Sequence, residues 1–161
     1  MRTSGALRRA GVPLLFLLLV CTPVAAQDKA SLRVVVDGVG AEATACGLST
    51  QAIQAVGRQS LESHGVSISQ DARHAYLYLH VNAYRVMQGA DIVGCTTRIG
   101  VSVRARVSAD AVLRGFKPKG DAYVVACEAG RLISGAVREM AGAVAKGFEQ
   151  DIKSCLSQLS Y

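Results

Sequence analysis

The stretch Ala75-Tyr-Leu-Tyr-Leu-His-Val-Asn-Ala-Tyr-Arg-Val86 alternates almost without interruption between apolar and polar side chains. Leu77, Leu79, Val81 and Ala83 fall on one side, and Tyr76, Tyr78, His80, Asn82 and Tyr84 on the other. A period of two is the signature of a half-buried β-strand, so this segment predicts a sheet with one covered face and one facing solvent. Cys95–Val107 repeats the pattern: Thr97, Ile99, Val101, Val103, Ala105 and Val107 form its apolar row, and Arg98, Gly100, Ser102, Arg104 and Arg106 its polar row. Between them, residues 87–94, with Gly89 and Gly94, read as a loop.

Upstream, residues 31–39 predict a first strand ended by Gly38 and Gly40. Residues 49–64 predict a helix capped by Ser49, stapled by Leu48 and Ile53 and closed by Gly65. Residues 66–69 lead into the second strand. Downstream, residues 108–120, with Gly115, Pro118 and Gly120, read as a hairpin loop, and Ala122–Cys127 as a fourth strand. Ile133, Val137, Met140, Val144, Phe148, Ile152, Cys155 and Leu159 recur at helical spacing and predict one helix over 130–159, in which Gly135, Gly142 and Gly147 mark close packing on the sheet. A helix between the first two strands makes them parallel, and the later strands follow as an antiparallel meander. The expected fold is α+β: a two-layer sandwich in the order β-α-β-β-β-α, with a four-stranded mixed sheet and both helices on one face.

A chain of 161 residues, half of them hydrophobic and 19% charged, has room for one core and is too apolar to be intrinsically disordered. Residues 1–26 read as a secretory leader: Arg2, Arg8 and Arg9 precede the apolar run Val12–Val20, and Val24-Ala25-Ala26 offers small residues for cleavage before Gln27. Two other readings of this stretch are an uncleaved anchor and a lipoprotein site with Cys21 acylated. The expected domain is therefore 27–161, periplasmic or secreted, with no stable membrane span once the leader is removed. Cleavage takes three of the 18 Lys and Arg and none of the 12 acids, so the formal +6 falls to +3. That mild surplus gives no reason to expect nucleic acid.

Four cysteines remain: Cys46, Cys95, Cys127 and Cys155. An even number in an exported chain points to disulfides, and none forms a Cys-x-x-Cys pair. In the expected layout Cys46, Cys95 and Cys127 share one end of the sheet. Cys155 lies at the far end of the helix, about 38 Å away at 1.5 Å per residue. Disulfide Cα atoms must approach within about 7 Å. Cys46–Cys95 is thus the expected pair and Cys127–Cys155 is disfavoured. Cys155 reads as a buried free thiol in the apolar stripe, and Cys127 is left open.

Three histidines could take part in chemistry. His64 sits at a helix end, where a cation suits the dipole. His74 and His80 stand about 20 Å apart on an extended strand and cannot share a metal. No phosphate loop, metalloprotease motif or nucleophile elbow is present, so no cofactor, no metal and no catalytic residue is expected. One constellation stands out. Tyr76, Tyr78, His80, Asn82 and Tyr84 would share the open sheet face with Arg98, Arg104 and Arg106. Tyr and Arg are enriched in interfaces, and equally they can cover a solvated face with their long stems. The function expected is a non-enzymatic binding or assembly module whose partner is an envelope protein or an anionic envelope component. The alternatives are a small hydrolase-like enzyme using His80 with Tyr78 or Arg104, and a structural homodimer with stacked faces.

Several of these motifs together resemble a group of small exported bacterial proteins of unknown function. They are Cys46-Gly47-Leu48 opening a helix, Gly65-Val66 with Ile68 closing it, the Tyr76–Asn82 strand, and a strand beginning at Cys95. The resemblance implies a Cys46–Cys95 pair and brings no catalytic residues. The layout is also similar, as a fold, to the small domains of envelope-assembly lipoproteins.

Overall fold

The alternating segments become three long strands of a sheet in the computed structural model, which describes residues 31–107 and 122–159. The expected leader, Cys21, the cleavage point and the 108–120 loop lie outside those residues. In chain order the elements are β1 (Ser31–Asp37), α1 (Ala41–Ala45), α2 (Thr50–Ser63), β2 (Ser67–Ile68), β3 (Ala75–Gln88), β4 (Asp91–Val107), β5 (Ala122–Gly135) and α3 (Val137–Ser157). The sheet is mixed, with strand order β2-β1-β3-β4-β5. The β1 strand runs parallel to β3, while β3, β4 and β5 are antiparallel.

Five strands replace the expected four. Once Gly65 turns the chain at φ +72°, Ser67 and Ile68 pair in parallel with Ser31 and Leu32 on the outer edge of β1. The turn itself is a Schellman closure, with Gly65 N–H donating to Glu62 and Val66 N–H to Leu61. At the other end of α2, Ser49 Oγ accepts the Ala52 N–H, and Leu48 and Ile53 are both buried beneath the cap. The expected 87–94 loop is instead the tip of a hairpin: Gln88 pairs with Asp91 around a two-residue turn in which Gly89 takes φ +62°.

The larger correction is at 128–135. These residues continue β5, where a helix was expected to open at residue 130, pairing from Ser102↔Glu128 to Cys95↔Gly135. The upper half of β4 would otherwise present a row of unpaired backbone groups, and backbone pairing outweighs the helical spacing of Ile133 with Val137. The same correction reverses the cysteine argument. The chain climbs eight residues of strand from Cys127 to Gly135, about 26 Å at 3.3 Å per residue. It then descends 18 residues of helix from Val137 to Cys155, about 27 Å at 1.5 Å per residue. The two legs cancel, and Cys127 is disulfide-bonded to Cys155 with Cα atoms 5.4 Å apart. Cys46 is bonded to Cys95 across 6.0 Å, joining the α1–α2 corner to β4.

The helices press on the apolar side of the sheet. A Cβ at Gly57 would stand 2.8 Å from Leu79 Cδ1, and one at Gly147 would stand 2.8 Å from both Ile99 Cδ1 and Ile133 Cδ1. By register, Leu79, Ile99 and Ile133 all point to the same face. The core between the layers holds Leu77, Leu79, Ile99, Met140, Phe148 and Ile152, all essentially without solvent contact. Gly142 has open space around it, so its lack of a side chain serves no packing purpose. An ion pair crosses between the layers: Arg131 Nε donates to the buried Asp151 at 3.0 Å, fastening α3 to β5.

Candidate functional site

On the opposite face the register lays out rows that cross the sheet. Arg33, Val35 and Asp37 of β1 stand beside Tyr76, Tyr78 and His80 of β3. Those oppose Arg104, Ser102 and Gly100 of β4, and Asn82 opposes Arg98. Arg106, Arg104, Ser102, Gly100 and Arg98 in turn oppose Tyr123, Val125, Glu128, Gly130 and Leu132 of β5. No helix among the described residues crosses Tyr78 or Arg104, because α1, α2 and α3 pack on the other side.

The face is ordered by contacts among its own side chains. The Arg104 guanidinium lies 4.0 Å above the Tyr78 ring centroid while its Nε donates to Ser102 Oγ at 3.1 Å. The Tyr78 and His80 rings stand parallel, 9° apart in plane and 6.3 Å between centroids. Tyr76 meets Tyr123 edge to face at 5.3 Å, reaching over β4, and Arg33 sits 6.0 Å over Tyr76. Asn82 donates to the Tyr84 hydroxyl at 3.0 Å. Tyr84 is 59% exposed at the upper end, next to Val86, and Leu132 is 68% exposed beside Arg98.

Asp37 is the electrostatic anchor at the β1 end. Tyr78 Oη donates to Asp37 Oδ2 at 2.6 Å and Gly38 N–H donates to Oδ1 at 2.8 Å. The tyrosine hydroxyl, then the backbone donor, hold the Asp37 carboxyl below its ordinary value. The same hydrogen bond holds the Tyr78 hydroxyl above its own. His80 Nδ1 stands 3.9 Å from Asp37 Oδ2, outside hydrogen-bonding range, and has no hydrogen-bond partner. Asp37 Oδ2 is therefore hydrogen-bonded to Tyr78 and not to His80. His64 is turned back on its own helix end, with Nδ1 donating to the Ser60 carbonyl oxygen at 2.8 Å. His74 lies before β3 and joins none of these contacts. Among the described residues no three potential ligands gather to hold a metal, and no helix is long and apolar enough to cross a membrane.

The sequence reading brought Tyr76, Tyr78, His80, Asn82, Tyr84, Arg98, Arg104 and Arg106 onto one face, and the register places them there. It missed Tyr123, Glu128, Gly130 and Leu132. Gly130 and Leu132 were absorbed into the expected helix, and Glu128 was left between it and the fourth strand, which hid their alternation. Along β1, Arg33 and Asp37 alternate with Leu32, Val34 and Val36, and the parallel pairing expected between the first two strands was the signal that they extend the same surface.

No family model matches the chain, and no curated protein matches it. Two solved structures resemble it weakly, at the level of fold. One is rare lipoprotein B from Shewanella oneidensis, at 11% identity over 80% of this chain and 93% of that one, with a TM-score of 0.37. The other is a minor lipoprotein from Acinetobacter baumannii, at 14% identity over 81% of this chain and 89% of that one, with a TM-score of 0.32.

Proposed function

We propose that this protein is an exported, non-enzymatic binding module of the cell envelope, which engages an anionic partner through the uncovered face of its sheet. The observation that carries the reading is the ordering of Arg104 over Tyr78 on a face that, among the described residues, bears Arg33, Arg98, Arg104 and Arg106 against the acids Asp37 and Glu128. Guanidinium groups held in place by rings and hydroxyls lose little freedom on meeting a carboxylate or phosphate. The same surplus works against two copies stacking face to face, since each would set arginines against arginines. Export follows from the leader-like residues 1–26 together with two disulfides, which persist in oxidising compartments.

The test places a photoreactive residue at Asn82 in exporting cells, with a second probe at Glu149 on the solvent side of α3. A discrete cross-linked species is expected from the Asn82 probe, lost in Arg104→Ala and Tyr78→Ala backgrounds that still fold. Equal cross-linking from Glu149 would sink the reading. Intact mass of the recovered protein, reduced and unreduced, reports the cleavage point, lipidation at Cys21 and both disulfides together.

A further inference from the structure

A depression of about 340 Å³ interrupts the open face between Arg98 and Arg104, with Tyr78, His80, Asn82, Ser102 and Glu128 around it. It exists because, at one level of the sheet, His80, Gly100 and Gly130 are in register, so two of three adjacent strands carry no side chain there. The two glycines differ in cause. A Cβ at Gly130 would come within 2.8 Å of the Ile99 carbonyl oxygen, so backbone packing demands glycine. A Cβ at Gly100 would meet nothing closer than His80 Cβ at 3.9 Å. A glycine inside a strand weakens it, and strand glycines are often found at bulges, bends or places where a ligand approaches the backbone.

We infer that this depression binds one ring of an acidic sugar, a hexuronate within an oligosaccharide; the inference rests on the open face being a binding surface. The charges select the class. Arg98 has no ion pair among the described residues and stands at one end. Arg104, already oriented by Tyr78 and Ser102, stands at the other, and Glu128 closes the third side. Two guanidiniums against one carboxylate favour a single acid group per bound unit. Glu128 accepts hydrogen bonds from hydroxyls and repels the close-set charges of a phosphate-dense surface. Arginine takes a carboxylate in two parallel hydrogen bonds, and Asn82 and Ser102 supply further polar partners for ring hydroxyls. The volume falls within the range of small-ligand clefts, and Tyr78 and His80 put aromatic carbon in its lining.

The experiment is an amide NMR titration of the disulfide-intact protein with trigalacturonate, with neutral maltotriose and with inorganic phosphate. The expected result is a saturable shift of the Gly100 and Gly130 amides with trigalacturonate only. Arg98→Ala should weaken it at least tenfold. Gly100→Val should abolish it while Tm stays the same or rises, and Gly100→Ala, the smaller intrusion, should weaken it. Equal shifts with maltotriose, the same shifts with phosphate alone, or no shift with any probe would overturn the sugar assignment. Cross-linking from Asn82 that survives such a failure leaves the general reading standing, whereas loss of both removes the two together.

Discussion

The two faces of this sheet are built from the same three strands and obey opposite rules. On the covered face, Leu79, Val81, Ile99 and Val101 are buried to within about one per cent, and α2 and α3 approach so closely that a Cβ at position 57 or 147 would press on Leu79, Ile99 and Ile133. On the open face, one residue along each strand, order comes from ring stacking, a guanidinium over a phenol and a few hydrogen bonds at the solvent boundary. Burial of apolar area supplies most of folding stability, and exposed polar contacts supply little. The comparison therefore teaches that stability and recognition have been divided between alternate residues, so changes on one face should leave the other's property largely intact.

The division is strained most by emptying the core. Phe148→Ala removes a fully buried ring and should cost about 3 to 5 kcal/mol in chemical denaturation. Ligand shifts at Gly100 should survive in whatever fraction remains folded. Opening the disulfide that spans the covered face, by Cys127→Ser with Cys155→Ser, frees a segment with sequence separation 28 and should cost about 3 to 4 kcal/mol. A variant that lost neither stability nor the unreduced-mass difference would show that the pair does not form.

The helix glycines sharpen the picture within α3. Gly147→Ala pushes a methyl into Ile99 and Ile133, so overpacking of about 1 to 3 kcal/mol should exceed the helix-propensity gain of about 1 kcal/mol. Gly142→Ala meets open space and should raise stability by up to about 1 kcal/mol. Opposite signs in thermal melts check the sheet-facing side of α3 at Gly147 against its solvent side at Gly142.

On the open face, Arg104→Ala should change stability by less than about 1 kcal/mol while removing the Asn82 cross-link. The smallest effect is in the pH profile. Asp37 titrates below its ordinary value in the folded chain, so its contribution is present above the unfolded value and is lost as pH falls through the folded one. Tyr78 titrates above its ordinary value, so its contribution is present below the unfolded value and fades as pH rises through the folded one. Tyr78→Phe removes the common hydrogen bond. It should move the Asp37 carboxyl, followed by carbon-detected NMR, up toward the ordinary carboxylate range with little change in Tm. An unmoved Asp37 would mean that the Gly38 N–H, rather than the tyrosine, sets its acidity.

What the sequence determined by itself is the assignment of residues to faces along β3 and β4. A strand's period of two is local, and each of those segments carries its own record of which side is wet. The helix α2 was equally legible, since Ser49, Leu48 with Ile53, and Gly65 encode both its ends. What only the tertiary structure decided is the length of β5 and everything that hangs on it: Glu128 and Gly130 on the open face, the start of α3 at Val137, and the Cys127–Cys155 bond. Residues 128–135 suit a strand or a helix about equally when read alone. The choice is made by the backbone of β4, whose upper half needs a partner that lies 26 to 40 residues away along the chain.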